Sequence, residues 1–84
     1  MDSAFFFEKT IYRSEGDEQA HFDWLGRIGC VSEARGRGTR VYLTIDPTRI
    51  TGDDLRELNA VYRRYDGDLK QLKILEESVN AQNH

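Results

Sequence analysis

The chain has 84 residues, a length that fits one domain built around one hydrophobic core. Apolar residues make up 38% of the chain and aromatic residues 11%, a composition typical of a packed domain, and no apolar run is long enough to cross a bilayer. The formal charge of −3 argues against a general nucleic-acid binder, because such proteins are usually basic.

Cys30 is the single cysteine, so an internal disulfide is excluded. The first residues lack the basic segment and the long apolar run of a signal peptide. Together these features predict a reducing, cytoplasmic location. We expect residues 1–84 to form a single domain, with the polar segment 80–84 as a disordered tail.

The first predicted element is a strand over Phe5–Tyr12, a segment rich in aromatic and β-branched residues. Alternation along a strand sends successive side chains to opposite faces. One face would carry three apolar residues that point to the core: Phe5, Phe7 and Ile11. The opposite face would carry Phe6, Glu8, Thr10 and Tyr12.

The second predicted element is a helix over residues 17–28, with a strand as the alternative. Four residues follow the spacing of an amphipathic helix: His21, Trp24, Leu25 and Ile28. Ser14 or Gly16 can cap its start, and Gly29 stands where a helix commonly ends. Apolar residues also alternate over Ala20–Leu25, which fits a strand. We favour the helix because the start and stop signals agree with it.

A β-hairpin is predicted next. Cys30–Ala34 forms a short, weak strand, Gly36–Thr39 a turn, and Arg40–Asp46 the clearest strand of the chain. In this last strand three apolar residues alternate with polar ones: Val41, Leu43 and Ile45. Pro47 closes the strand, since proline has no N–H to donate to a neighbouring strand.

A second helix follows the hairpin. Thr51 is its predicted N-cap, and Asp54 completes a capping box in which aspartate replaces the usual glutamate or glutamine. An apolar stripe at helical spacing comes next: Leu55, Leu58, Val61, Tyr62 and Tyr65. We expect the helix to end at Asp66 and Gly67. The segment Leu69–Val79 fits either a helix or a strand around Leu72–Glu76.

If the last element is a strand, the order is βαββαβ, the ferredoxin-like arrangement of two helices on an antiparallel sheet. The first and third strands are then central, and they are the most apolar, as expected for strands flanked by charged edges. If Ala20–Leu25 is a strand and Leu69–Val79 a helix, the fold is a three-stranded β-meander followed by two helices. We favour the ferredoxin-like α+β fold.

In the favoured fold the helices cover one face of the sheet and leave the other open. The open side would carry three aromatic side chains among polar ones: Phe6, Glu8, Thr10, Tyr12, Tyr42 and Thr44. Aromatic side chains on an exposed sheet are typical of contact surfaces. The alternative is that the C-terminal tail or a second subunit covers this side.

The sequence offers no combination of residues that predicts catalysis or metal binding. His21 has Asp17 four residues earlier but no third ligand or nucleophile, which predicts a surface or interface histidine. Cys30 lacks an activating histidine nearby, so we expect a small buried apolar residue. His84 lies in the predicted tail, and the acidic residues match no calcium loop. We therefore expect no enzyme activity, no metal and no cofactor.

The segment Arg35–Arg40 combines arginine with glycine, a composition able to contact phosphates. Four residues resemble part of the signature of RNA-recognition motifs: Arg35, Gly36, Gly38 and Tyr42. The resemblance implies a ferredoxin-like sheet that binds single-stranded RNA through aromatic residues. Three residues stand where that signature has aromatic and aliphatic side chains: Arg37, Thr39 and Arg40. A hairpin turn with solubilising arginines is the alternative interpretation.

These features favour a small non-catalytic module that binds a larger protein, of the kind that act as inhibitors or immunity proteins. Aromatic residues and arginine dominate many protein interfaces, and charges set their selectivity. The predicted partner-binding residues are Phe6, Glu8, Tyr12, Arg35, Arg37, Arg40 and Tyr42. A homodimer through the same side is compatible with this hypothesis. The alternative function is single-stranded RNA binding by the aromatic residues and the arginine–glycine turn.

Overall fold

The computed structural model describes residues 4–82. Its elements in chain order are β1 (Phe5–Glu8), α1 (Glu15–Arg27), β2 (Val31–Arg37), β3 (Arg40–Ile45), α2 (Gly52–Arg64), a 3₁₀ turn (Leu69–Leu72) and α3 (Lys73–Gln82). The three strands form one antiparallel sheet in the order β1-β3-β2. The predicted α+β class with an antiparallel sheet is confirmed.

β1 is shorter than predicted, because the chain leaves the sheet after Glu8. Lys9 adopts a left-handed backbone conformation with a φ of 53°, which turns the chain out of the extended path. Its N–H donates to the carbonyl of Thr39 over 2.7 Å, beyond the last residue pair of the strand. The prediction that Ile11 faces the core is therefore wrong, and its side chain is 88% exposed.

The helix predicted over residues 17–28 is confirmed as α1. The Ser14 side chain accepts a hydrogen bond of 3.1 Å from the Asp17 N–H, so Ser14 is the N-cap. Acidic side chains in the first turn and Arg27 in the last complement the helix dipole. His21 and Leu25 lie four residues apart and are both buried, which directs this side of α1 to the core.

A two-residue loop joins β2 and β3. Arg37 and Arg40 are the closing pair, and Gly38 takes the first loop position with a φ of 60°. A positive φ there is what a type II′ hairpin turn requires, and glycine adopts it without strain. β2 consequently runs to Arg37, three residues beyond the predicted strand end at Ala34.

The predicted capping box of α2 is confirmed. The Asp54 N–H donates to the Thr51 hydroxyl over 3.1 Å, and the Asp54 carboxylate accepts from the Thr51 N–H over 3.3 Å. At the other end Asp66, rather than Gly67, takes the left-handed conformation, with a φ of 59°. Gly67 follows with an N–H bond of 2.7 Å to the Tyr62 carbonyl, which completes the helix end.

The last segment is helical, so the fourth strand of the ferredoxin-like plan is not formed. Leu72, Leu75 and Val79 are buried, and their spacing of three and four residues is that of a helix. A strand would place Ile74 on the same face as the buried Leu72, but Ile74 is 62% exposed. The order is βαββαα, and the βαββαβ topology is not confirmed. The meander alternative required a strand at Ala20–Leu25, which lies within α1.

Without a fourth strand β1 is an edge of the sheet rather than a central strand. The 3₁₀ turn covers this edge, since Gln71 Oε1 accepts a hydrogen bond of 2.9 Å from the Phe6 N–H. The same oxygen accepts a second hydrogen bond, of 3.0 Å, from the Tyr62 hydroxyl. Gln71 thus connects the outer edge of β1 to α2.

The core fills the space between the helices and one face of the sheet. Its buried apolar residues are Phe7, Leu25, Ile28, Cys30, Val31, Val41, Leu43, Ile50, Leu58, Val61, Tyr62, Tyr65, Leu72, Leu75 and Val79. α3 runs to Gln82 and so includes the first residues of the segment predicted as a tail, while His84 lies outside the described residues. Over residues 4–82, no helix combines the length and apolar composition needed to cross a membrane.

Candidate functional site

The antiparallel register brings most of the predicted partner-binding residues onto one side of the sheet. Cross-strand partners share a face, and the pairs are Phe6 with Tyr42, Glu8 with Arg40, Arg35 with Tyr42, and Arg37 with Arg40. We call this side the open face; its residues are Phe6, Glu8, Glu33, Arg35, Arg37, Arg40, Tyr42 and Thr44. All of them are exposed or only partly buried, whereas Phe7, Val41 and Leu43 on the opposite side are buried.

Arg40 organises the centre of the open face. Its guanidinium lies 4.6 Å above the centroid of the Phe6 ring and donates a hydrogen bond of 3.3 Å to the Tyr42 hydroxyl. It also forms an ion pair of 3.3 Å with Glu8. The hydrogen bond to Tyr42, followed by the charge of Glu8, raises the pKa of Arg40 above its usual value. Three neighbours therefore hold this partly exposed cation in one position.

The two aromatic rings of the open face are close neighbours. The centroids of Phe6 and Tyr42 lie 5.9 Å apart with an angle of 50° between the rings, a tilted arrangement within the favourable range. Because Arg40 already covers the Phe6 ring, the three side chains form a single contiguous patch.

The remaining arginines of the open face lie on β2 and are more loosely held. Arg35 pairs with Glu33 over 2.9 Å, but both side chains are more than half exposed, at 73% and 52%, so solvent screens the pair. Arg37 stands directly opposite Arg40 next to the hairpin loop. The open face thus combines a centre with several internal contacts and an exposed basic margin.

Tyr12 is the exception among the predicted partner-binding residues. The prediction placed it on the open face, but the chain turns at Lys9 and Tyr12 lies against the middle of α1 instead. There its hydroxyl shares a hydrogen bond of 2.7 Å with His21 Nδ1. Burial, with a smaller effect of the Glu18 charge, raises the pKa of Tyr12 to about 12. Tyr12 supports the core and does not contribute to the open face.

His21 is fully buried, so the prediction of a surface or interface histidine is wrong. Its ring stacks on Tyr65 at 4.0 Å and meets Phe7 edge-on at 4.5 Å. Its Nε2 has no hydrogen-bond partner among the described residues. Burial lowers the pKa of His21 to about 4, although the charge of Asp17 acts in the opposite direction. His21 is thus a neutral ring in a cage of aromatic side chains.

Asp17 ties this cage to α2. Its carboxylate accepts hydrogen bonds from the Arg13 N–H and the Tyr65 hydroxyl, both at 3.2 Å, and pairs with Arg64 at 3.4 Å. The hydrogen bond from the Arg13 backbone is the main reason that the pKa of Asp17 is lowered. In the sequence, the signal for this cluster was the position of His21 on the apolar stripe of α1.

Clefts lie at two further places among the described residues. One, of about 340 Å³, adjoins the hairpin loop, borders the open face at Arg40 and includes Thr10, whose buried hydroxyl has no hydrogen-bond partner in residues 4–82. The other, of about 450 Å³, lies beside Trp24 and Glu57, between α1 and α2.

Cys30 is buried, as predicted from its sequence context. Burial, followed by the nearby carboxylate of Asp54, raises the pKa of its thiol to about 11, so the thiol is protonated at neutral pH. Within the part of the chain that the structure describes, no three histidine, cysteine, aspartate or glutamate side chains gather into a metal-binding group.

Comparison of the chain with protein-family models, with curated proteins and with solved structures gave no match in any of the three. Its function is therefore inferred from the geometry and chemistry of its own residues, above all those of the open face.

Proposed function

We propose that this protein is a non-catalytic interaction module that binds a larger protein through the open face, and that it inhibits or neutralises this partner by occupying it. The observation that carries the proposal is the contiguous patch of Phe6, Arg40 and Tyr42. Aromatic residues and arginine supply most of the binding energy in many protein interfaces. A cytoplasmic location belongs to the same proposal.

The patch is also organised before any partner binds. Binding normally costs about 0.5–1.5 kcal/mol for each long side chain that must be fixed. Arg40 contacts Phe6, Tyr42 and Glu8 in the free protein, so part of this cost is already met by folding. Such preorganisation is typical of residues that bind a specific partner, and residues that only keep a protein in solution do not need it.

Single-stranded RNA binding is the second candidate, because two aromatic rings and three arginines share the open face. RNA-binding sheets present free ring faces on which bases stack. Here the Arg40 guanidinium lies 4.6 Å above the Phe6 ring, in the place a base would take. A protein partner, which can pack against the arginine and the ring edges, suits the patch better.

Site-specific photo-crosslinking tests the proposal in the cells that produce the protein. A photoreactive phenylalanine analogue replaces Thr44, which is exposed on the open face, and in a control variant it replaces Glu76, which is exposed on α3. We expect a discrete protein adduct from the Thr44 position only, and its loss when Tyr42→Ala is added.

Three results would contradict the proposal. Adducts of equal yield from both positions indicate no specific use of the open face. An adduct that ribonuclease removes indicates the RNA candidate. An adduct with the mass of two copies of this chain indicates a homodimer instead of a different, larger partner.

A further inference from the structure

We infer that the segment of the partner that docks on the open face is acidic, with carboxylates that reach the three arginines beside the aromatic patch. This inference rests on the proposed function and adds the chemistry of the partner. The first observation is the charge of the face, which carries Arg35, Arg37 and Arg40 against Glu8 and Glu33.

Arg37 is the arginine of this face whose charge is not compensated within the fold. Glu8 pairs with Arg40 and Glu33 with Arg35, whereas no described residue forms an ion pair with Arg37. Its exposed guanidinium is consequently free to pair with a carboxylate supplied from outside.

The hairpin also holds two like charges together. Arg37 and Arg40 are direct cross-strand partners, and like charges in this position destabilise an antiparallel pair. The two-residue loop fixes the pair, because it sets the register between β2 and β3. Glu8 already pairs with Arg40 on the β1 side, so the charge left to compensate at this position is that of Arg37. A carboxylate of the partner bound to Arg37 would offset the repulsion between the two arginines, which the free hairpin does not do for itself.

The positive charge of this region contrasts with the rest of the chain. Residues 27–49 hold five arginines and two acidic residues, although the formal charge of the whole chain is −3, and three of these arginines lie on the open face. The Lys9 N–H bond to Thr39 brings a further basic residue to the same end of the sheet. An acidic segment is attracted to the open face and repelled by other surfaces, which orients the partner during association.

The same charge distribution favours a short acidic protein segment over a nucleic acid. A polynucleotide carries phosphates along its whole length and meets the acidic remainder of the chain beyond the hairpin. A protein segment can confine its carboxylates to the arginines and place an apolar side chain against Phe6 and Tyr42. The geometry therefore points to a segment in which acidic and apolar residues are mixed.

NMR titration of the full ¹⁵N-labelled chain tests the inference with three probes. The first is an octapeptide of glutamate with two interspersed leucines, the second has lysine in place of every glutamate, and the third is a uridine oligonucleotide. We expect shift changes in β2 and β3 with the glutamate peptide alone, and weaker binding as salt rises and the Debye length falls below about 10 Å.

Two charge reversals make the test specific. Arg37→Glu should weaken binding of the glutamate peptide by at least about tenfold, since it reverses the uncompensated charge on the open face. The matched control Arg63→Glu makes the same change on an exposed residue of α2 and should alter the affinity by less than about twofold.

Several outcomes would overturn the inference: no shift with the glutamate peptide at millimolar concentration, equal binding of the lysine peptide, preference for the oligonucleotide, or equal effects of Arg37→Glu and Arg63→Glu. If the Thr44 photo-crosslink forms while one of these holds, the acidic partner is wrong and the interaction module stands. If the crosslink is also absent, both fail.

Discussion

His21 makes the stability of this protein depend on pH in a defined window. The ring is buried and neutral, and burial lowers its pKa from 6.5 to about 4. The unfolded chain therefore binds a proton between these values and the folded chain does not. The contribution of this residue to stability is complete above pH 6.5 and is lost as pH falls toward 4.

The size of the effect follows from the two pKa values. A difference of about one pKa unit corresponds to about 1.4 kcal/mol, so the full loss below the folded pKa is about 3 kcal/mol. Between about pH 7 and about pH 5 the loss is about 2 kcal/mol. A domain of this length has a free energy of unfolding near the low end of about 5–15 kcal/mol, so the change is large.

Urea unfolding at about pH 7 and about pH 5, followed by the fluorescence of Trp24, measures the effect. His21→Phe keeps an aromatic ring against Tyr65 and Phe7 but does not titrate. We expect its free energy of unfolding to change over this range by about 2 kcal/mol less than that of the wild type. Carboxylates titrate equally in both proteins, so the difference isolates His21.

Tyr12→Phe is the matched control, because it removes the hydrogen bond to His21 Nδ1 and leaves the ring buried. This variant should be less stable at both pH values, and because it keeps the titrating ring, its stability should depend on pH more strongly than that of His21→Phe. If His21→Phe shows the same pH dependence as the wild type, His21 is not a buried neutral ring and the reasoning is refuted.

Three other predictions test the packing. Gly67→Ala should destabilise the protein by about 1–3 kcal/mol in thermal unfolding, since the added Cβ would lie 2.5 Å from a buried tyrosine ring. Gly26→Ala adds a Cβ in open space and should be neutral or stabilising in the same assay. Leu75→Ala should cost about 2–5 kcal/mol and Ile74→Ala less than about 0.5 kcal/mol; equal costs would contradict the helix. Cys30 should react with iodoacetamide only after urea unfolds the chain, and rapid native labelling would contradict its burial.

The elements that were predicted correctly are specified by neighbours in the sequence. Thr51 and Asp54 form the capping box of α2 because they are three residues apart at a helix start. This spacing lets the side chain of each residue accept a hydrogen bond from the backbone N–H of the other. Gly38 supplies the positive φ of the hairpin loop in the same local way. Alternation of side chains along β1 and β3 also predicted correctly that Phe6 and Tyr42 lie on one side of the sheet.

The errors arose where distant contacts decide the structure. The apolar residues of Leu72–Leu75 fit the period of a helix as well as that of a strand, and burial of Leu72 and Leu75 in the core selects the helix. Tyr12 was misplaced because nothing local predicts the left-handed Lys9. His21 was taken as a surface residue by type, although its place on the apolar stripe of α1 already indicated burial.

Gln71 has a consequence for how copies of this protein can associate. A sheet with two open edges can add strands at both and grow without limit, as in fibrils. Here the Gln71 carboxamide accepts the outward-pointing N–H of Phe6, so a strand that adds at the β1 edge must first displace it. Two copies that pair through β2 form a closed dimer as long as β1 adds no further strand. Gln71 therefore disfavours strand-by-strand growth through β1.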